Sequence, residues 1–225
     1  MNKKLFSFAV ALFFATIAIA QDCSMYFPSK VGSVLTYVYS EKVDKPLSSC
    51  TYKLVSQETK DGVTTNNIAG ESFDKKNNSK MVYNFTSKCD GKGFYIDMKS
   101  FLSGMDVKNI GEFKIESSEL QIPSVVIAGQ KLNDGWLTLS MEGPVSMTMK
   151  TTITNRVVDG FEDVTTPAGT YKCVKISYET NSEVMFMKTK TKVVEWYALN
   201  IGLVRSETYN DKGKMLGFNV LSSIK

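Results

Sequence analysis

Residues 144–158 alternate in side-chain character with a period of two. Val145, Met147, Met149 and Ile153 fall on one side, and Ser146, Thr148, Lys150, Thr152 and Thr154 on the other, with Thr151 an exception on the apolar side. That period belongs to a β-strand buried on one face. Similar runs, rich in the β-branched and aromatic residues that suit a pleated surface, recur along the chain between turn residues. They predict strands at 33–43, 49–58, 63–73, 80–89 and 93–98, and again at 112–121, 136–141, 171–180, 184–198, 202–209 and 214–223. Pro46 is expected to close the first strand, because proline brings no ladder donor. Asp61-Gly62 and Asp90-Gly91 are pairs that take tight, left-handed hairpin turns, and Pro167-Ala168-Gly169 presets a further one. Residues 98–110 break the pattern. Met98, Phe101, Leu102 and Met105 have the spacing of one helical face, which Gly104 limits to one or two turns. Roughly a dozen strands cannot remain an open flat sheet. The expected fold is all-β and mainly antiparallel: a strongly curved sheet or incomplete barrel with one short helix as plug or cap.

The first residues give an address. Lys3 and Lys4 form a basic start, Leu5 to Ile17 is mostly apolar, and Ala18-Ile19-Ala20 supplies small residues for a signal peptidase. Residues 1–20 are thus expected to be a cleaved signal peptide and 21–225 a single exported β domain, periplasmic or secreted. A retained N-terminal anchor is the alternative. No later segment approaches the ~18 apolar residues of a membrane span. Gln21 and Asp22 stand where a lipid-attachment motif wants small residues, so Cys23 reads as structural.

Composition removes several chemistries. Without Lys3 and Lys4 the basic residues fall from 27 to 25 against 23 acids, a mature charge of about +2. These charges are scattered along the sequence, so they argue neither for nucleic acid nor for anionic lipid. The chain contains no histidine, which takes away the commonest general base, the usual zinc ligand and the Ser-His and Cys-His pairs. Cys23, Cys50, Cys89 and Cys173 all lie in the mature part. In an oxidising compartment they are disulfide candidates of unknown pairing, as two bridges or as one bridge with two buried thiols. Their spacing fits neither a redox motif nor a metal knuckle, and no cofactor or metal is implied.

Met141, Met147, Met149, Met185 and Met187 gather in one span of strands. Thioethers are flexible and polarizable, so together with Trp196 they could form a pliable apolar pocket; filling gaps in a curved core is their commoner use. Trp136, Tyr178 and Tyr197 are further lining candidates, as aromatics with a polar tip. Trp196 and Tyr197 must point to opposite faces of a strand, so only one of them can be in the core. Asp159, Glu162 and Asp163 cluster in what reads as a turn, where carboxylates usually bond local backbone. No second element converges on them to make a hydrolytic pair.

Val164 to Cys173 (VTTPAGTYKC), Val194-Glu195-Trp196-Tyr197 and Ile201 to Glu207 (IGLVRSE), with Cys23…Tyr26…Pro28 and Lys88-Cys89-Asp90-Gly91, resemble a family across nearly the whole mature chain. It is the TapB-like group of uncharacterised exported Gram-negative proteins, near the domain-of-unknown-function 3108 group. The resemblance implies a fold similar to the LolA/LolB lipoprotein carriers, a curved antiparallel sheet around an apolar interior. It supplies no catalytic residues.

The function expected from these features is a non-enzymatic exported binding protein that shelters a lipid or other apolar small molecule inside a curved sheet. The alternative is an envelope structural or protein-interaction module with a filled core and no ligand, meeting its partner through an apolar patch or an unpaired strand edge. An enzyme ranks last, for want of an active-site constellation.

Overall fold

The computed structural model describes residues 26–43, 45–102, 112–142 and 147–225. The predicted signal peptide, Cys23 and Met105 lie outside them. The alternating runs become β1 (Val34–Lys42), β2 (Lys45–Lys60), β3 (Val63–Asp74), β4 (Ser79–Cys89), β5 (Gly93–Asp97), β6 (Glu112–Ser117) and β7 (Glu119–Pro123). The rest are β8 (Gly135–Glu142), β9 (Met147–Thr166), β10 (Gly169–Val184), β11 (Met187–Ala198), β12 (Gly202–Asn210) and β13 (Met215–Ile224). All pair antiparallel in one sheet of order β6-β8-β9-β10-β11-β12-β13-β1-β2-β3-β4-β5-β7. The all-β, curved-sheet expectation holds. Asp61 and Gly62 take φ of 51° and 79°, the left-handed pair that the β2–β3 hairpin needs to match strand twist.

The two edge strands of this sheet, β6 and β7, are consecutive in sequence and separated by Ser118 alone. The edges therefore meet, and the sheet is a nearly closed barrel. At the seam the Ser118 amide donates to the Trp136 carbonyl (2.9 Å), and the Trp136 amide donates to Ser118 Oγ (2.8 Å). The Met98 amide donates to the Ser118 carbonyl at 3.1 Å. Gly135, beside them, permits the close approach. A Cβ there would lie 2.4 Å from Leu120 Cδ2 and 2.7 Å from Met98 Sδ.

Curvature comes from bulges, which insert a residue into one strand and bend it. One matters most. Along β9 the inward side chains are Met149, Thr151 and Ile153, all odd-numbered; beyond the bulge opposite Ser177–Glu179, Arg156 and Val158 face inward instead. Asn155, at φ 57°, takes up the extra residue. Asparagine is among the few side chains that tolerate this left-handed conformation. The inner face carries the main core, including Leu35, Leu54, Ile68, Phe94, Ile176 and Leu221, each no more than 1% exposed. A second cluster of Cys173, Val194, Trp196, Ala198 and Val204 lies on the opposite face of β10–β12.

Four expectations need correction. The short helix is a 3₁₀ turn, Met98–Leu102; its Met98 and Leu102 are buried as a cap against the seam, while residues 103–110 lie outside the described chain. The run 112–121 is two strands on opposite edges, because Ser118 spends its hydrogen bonds on the seam. Pro46 lies at the start of β2 rather than closing β1, a strand-end position where its missing donor is tolerated. Asp159, Glu162 and Asp163 sit within the 20-residue β9, not in a turn. As for the cysteines, Cys50 and Cys173 are free thiols, so two bridges do not form; Cys89 is disulfide-bonded.

If Gly135 is what lets the seam close, Gly135→Val should cost about 1–3 kcal/mol of stability through overpacking. Val125→Ala, at a position 76% exposed, should change it by less than about 0.5 kcal/mol. Equilibrium urea denaturation of the two variants checks both.

Candidate functional site

The inward positions of β1–β5 are strongly aromatic. Tyr37 pairs with Cys50, Cys50 is two residues from Tyr52, and Tyr52 is opposite Gly70, which is opposite Tyr83. Residues two apart on a strand share a face, so the register stacks these side chains side by side. Tyr52 and Phe85 meet edge-to-face with centroids 5.3 Å apart, and Tyr83 and Phe85 stack at 6.3 Å. Gly70 leaves the room that the Tyr83 ring occupies, since a Cβ there would lie 2.3 Å from it. Against this wall stands an open cavity of ≈ 510 Å³. Tyr26, Tyr52, Tyr83, Phe85 and Ile96 form much of its apolar lining, with Glu195 and Tyr197 as a polar end. Its volume lies in the range of small-molecule sites.

Glu195 arrives here because Val193, Glu195 and Tyr197 occupy alternate inward positions of β11. It also lines a second cavity of ≈ 390 Å³, with Met98, Met149, Tyr178 and Ser206. The Tyr197 hydroxyl donates to Glu195 Oε2 at 2.9 Å, and Tyr178 also hydrogen-bonds the carboxylate. Burial pushes the Glu195 carboxyl above its ordinary value; the two tyrosine hydrogen bonds and the Arg156 charge pull the other way and do not cancel it. Tyr178 and Tyr197 are held far above the usual phenol range by burial and by the Glu195 charge, so both remain donors.

Arg156, re-aimed inward by the Asn155 bulge, is 5% exposed. It donates to the Asn133 carbonyl at 2.7 Å and the Gln121 carbonyl at 3.2 Å, thus tying β9 to edge strand β7 across the seam. Its Nε has no partner among the described residues. Burial lowers its pKa, and a guanidinium nevertheless stays charged at any physiological pH.

The six proposed pocket residues do not line one pocket. Met149 lines the smaller cavity. Met141 pairs with Met147, and both are half-buried on β8 and β9. Met185 and Met187 are 53% and 71% exposed at the β10–β11 hairpin. Trp196 is buried on the other face, where its Nε1 donates to Glu162 Oε1 at 2.5 Å and Lys175 Nζ lies 5.2 Å from its ring centroid. Tyr197 is the member of that pair in the main core. Tyr178 is buried, whereas Trp136 is 45% exposed. Trp196 also floors an outer groove of ≈ 610 Å³ with Lys175, Glu179, Lys190 and Tyr209.

Neither free thiol is primed for reaction. Burial raises the Cys50 thiol, and burial with nearby Asp163 and Glu162 raises Cys173 to about 11. Among the described residues no group of three or more Cys, Asp or Glu side chains could hold a metal ion, and no helix is long and apolar enough to cross a membrane. The aromatic wall, Glu195 and Arg156 escaped the sequence reading. The signal that could have found them is the placement of Tyr or Phe at every second residue on neighbouring strands.

A family model described as DUF3108-like matches residues 30–221. No curated protein matches the chain. Two crystal structures share the fold. One is of a Bacteroides fragilis "putative exported protein" with a YmcC-like fold, 23% identical, with a TM-score of 0.75 over 90% of this chain and 100% of that one. The other is of a "putative lipoprotein" from Parabacteroides distasonis, 21% identical, with a TM-score of 0.77 over 91% of this chain and 100% of that one.

The Glu195 carboxyl predicts a pH dependence. The unfolded chain ionises it near 4.5, whereas the folded protein holds its proton to higher pH. Above 4.5 the unfolded state binds fewer protons, so this group makes stability fall as pH rises toward the folded value. Glu195→Gln should match wild type near pH 4 and be the more stable of the two at pH 8. Denaturation midpoints across that range check it; parallel curves would contradict the assignment.

Proposed function

Since the chain belongs to the DUF3108-like family, we propose that it is an exported, non-enzymatic binding protein. Its ligand is apolar or amphipathic, of the lipid class, and lies in the aromatic cavity. Export is supported by the leader-like first 20 residues and by structural neighbours whose names speak of export and of a lipoprotein. The observation that carries the reading is the cavity itself: about 510 Å³, walled by stacked aromatics, with polar groups at one end. Such a lining offers area to a tail through dispersion and apolar burial, and a hydrogen-bonding point to a head at Glu195 and Tyr197. An interaction module with a filled core has no use for this space. A role without catalysis is supported by the lack of histidine and by the poorly ionised Cys50 and Cys173 thiols.

Ser72 lines the cavity beside Met81 and Tyr83. Ser72→Trp should fill much of the space and weaken binding of a fluorescent fatty acid at least tenfold, a loss of about 1.4 kcal/mol. Titration of wild type and variant, with native mass spectrometry of the protein purified from its producing cells, tests the reading. No saturable binding to wild type and no co-purifying lipid would overturn it.

A further inference from the structure

The β10–β11 hairpin ends in Met185-Phe186-Met187, whose residues are 53%, 93% and 71% exposed. Three adjacent large apolar side chains facing water at one loop tip are not explained by the core, and such patches mark interaction sites. The tip also overhangs its neighbour. β11 pairs with β12 only as far as Thr191 opposite Asn210, leaving Met187 to Lys190 without a β12 partner.

Antiparallel register fixes what else lies at this end of the barrel. Alternate hairpin turns fall at the same end, so the turns after β3, β10 and β12 lie together, with the β1–β2 turn beside them, and those after β2, β4, β9 and β11 lie opposite. The first of these carries Lys75 and Lys76, the third Lys212 and Lys214, and Lys188 and Lys190 follow the apolar tip; all six are exposed. The acids of these three turns are Asp74, Glu183 and Asp211, and the β1–β2 turn adds exposed Lys42 and Lys45 with the exposed acid Glu41. Asp74 already pairs with Lys80, Glu183 with Lys188, and Glu179 with Lys190. Lysines scattered along the sequence are thus collected at the end of the barrel that bears the apolar tip, Lys188, Lys190, Lys212 and Lys214 on its own and the next hairpin and Lys75 and Lys76 farther round the rim. Both interior cavities reach toward this end, through Ser72 and Met81 in one and Met149 and Ser182 in the other.

We propose that this end of the barrel docks on an anionic lipid bilayer, with Met185-Phe186-Met187 entering the interface and the surrounding lysines meeting the headgroups. Apolar side chains at the tip with a basic surround are the combination that holds a protein at a membrane surface without spanning it, adding buried apolar area to electrostatic attraction. The surface is independent of the cavity's ligand, so the two readings fail separately.

The test is flotation of the purified protein with vesicles of phosphatidylglycerol and phosphatidylethanolamine, or of phosphatidylcholine alone, at low and high salt. Wild type should bind the anionic vesicles at least tenfold more tightly than the neutral ones, and added salt should weaken that binding. The triple variant M185S/F186S/M187S should lose at least tenfold with little change in melting temperature, since these side chains are mostly exposed and lie outside the core clusters. It should keep its affinity for the fluorescent fatty acid, whereas Ser72→Trp should keep vesicle binding. A quadruple change of Lys75, Lys76, Lys212 and Lys214 to glutamine should reduce binding to anionic vesicles alone. Absence of vesicle binding by wild type, equal binding to both lipids, or a triple variant that binds like wild type would each overturn the proposal.

Discussion

A curved sheet has two raw edges, and how they are disposed of decides whether it can enclose anything. Unpaired edge strands invite association, and closure is the device that removes them. Here the edges are brought together by covalent connectivity, since β6 and β7 are separated by Ser118 alone. Side-chain and main-chain bonds then finish what the ladder leaves open: Ser118 to Trp136 on one side and Arg156 to the Gln121 and Asn133 carbonyls on the other. The interior exists because this seam holds.

The bulge that bends β9 also supplies the seam. Asn155 takes the extra residue, and the resulting change of parity turns Arg156 from the solvent side to the interior. Without it Arg156 would continue the outward series of Thr152 and Thr154. A charged group in that position carries a desolvation cost, partly offset by its two carbonyl acceptors and by the nearby Glu195 and Asp134 carboxyls. The polar island so formed lies next to space left open, so curvature, closure and the chemistry of the cavity share one local cause.

The strands were legible because a period of two survives in nearly every run, and the turns because Asp-Gly and Pro-Ala-Gly dictate backbone angles locally. The seam was not. Residues 112–121 read as one strand, and only the hydrogen bonds of Ser118 with Trp136, distant in sequence, break it into two. Reading the site from methionine failed for a related reason. Residue type alone does not say which face of which strand a side chain occupies, so Met149, Met187 and Trp196 ended in three different environments. Aromatic positions repeated across paired strands, as at Tyr37, Tyr52 and Tyr83, held the information that methionine content did not. The DUF3108-like resemblance, in contrast, was carried by contiguous motifs and is borne out. Charge was misleading in its own way, because scattered lysines become neighbours only when alternate turns are folded to the same end.

Amide hydrogen exchange on Arg156→Met tests most directly whether the barrel is fastened at its seam. In wild type the amides of Ser118, Leu132 and Val158, which donate to Trp136, Arg156 and Gln130, should be well protected. In the variant these three should exchange much faster together, while amides in the β1–β2 and β2–β3 ladders keep their protection. Unchanged protection at Ser118, Leu132 and Val158 would mean that Arg156 fastens nothing and that closure has another cause.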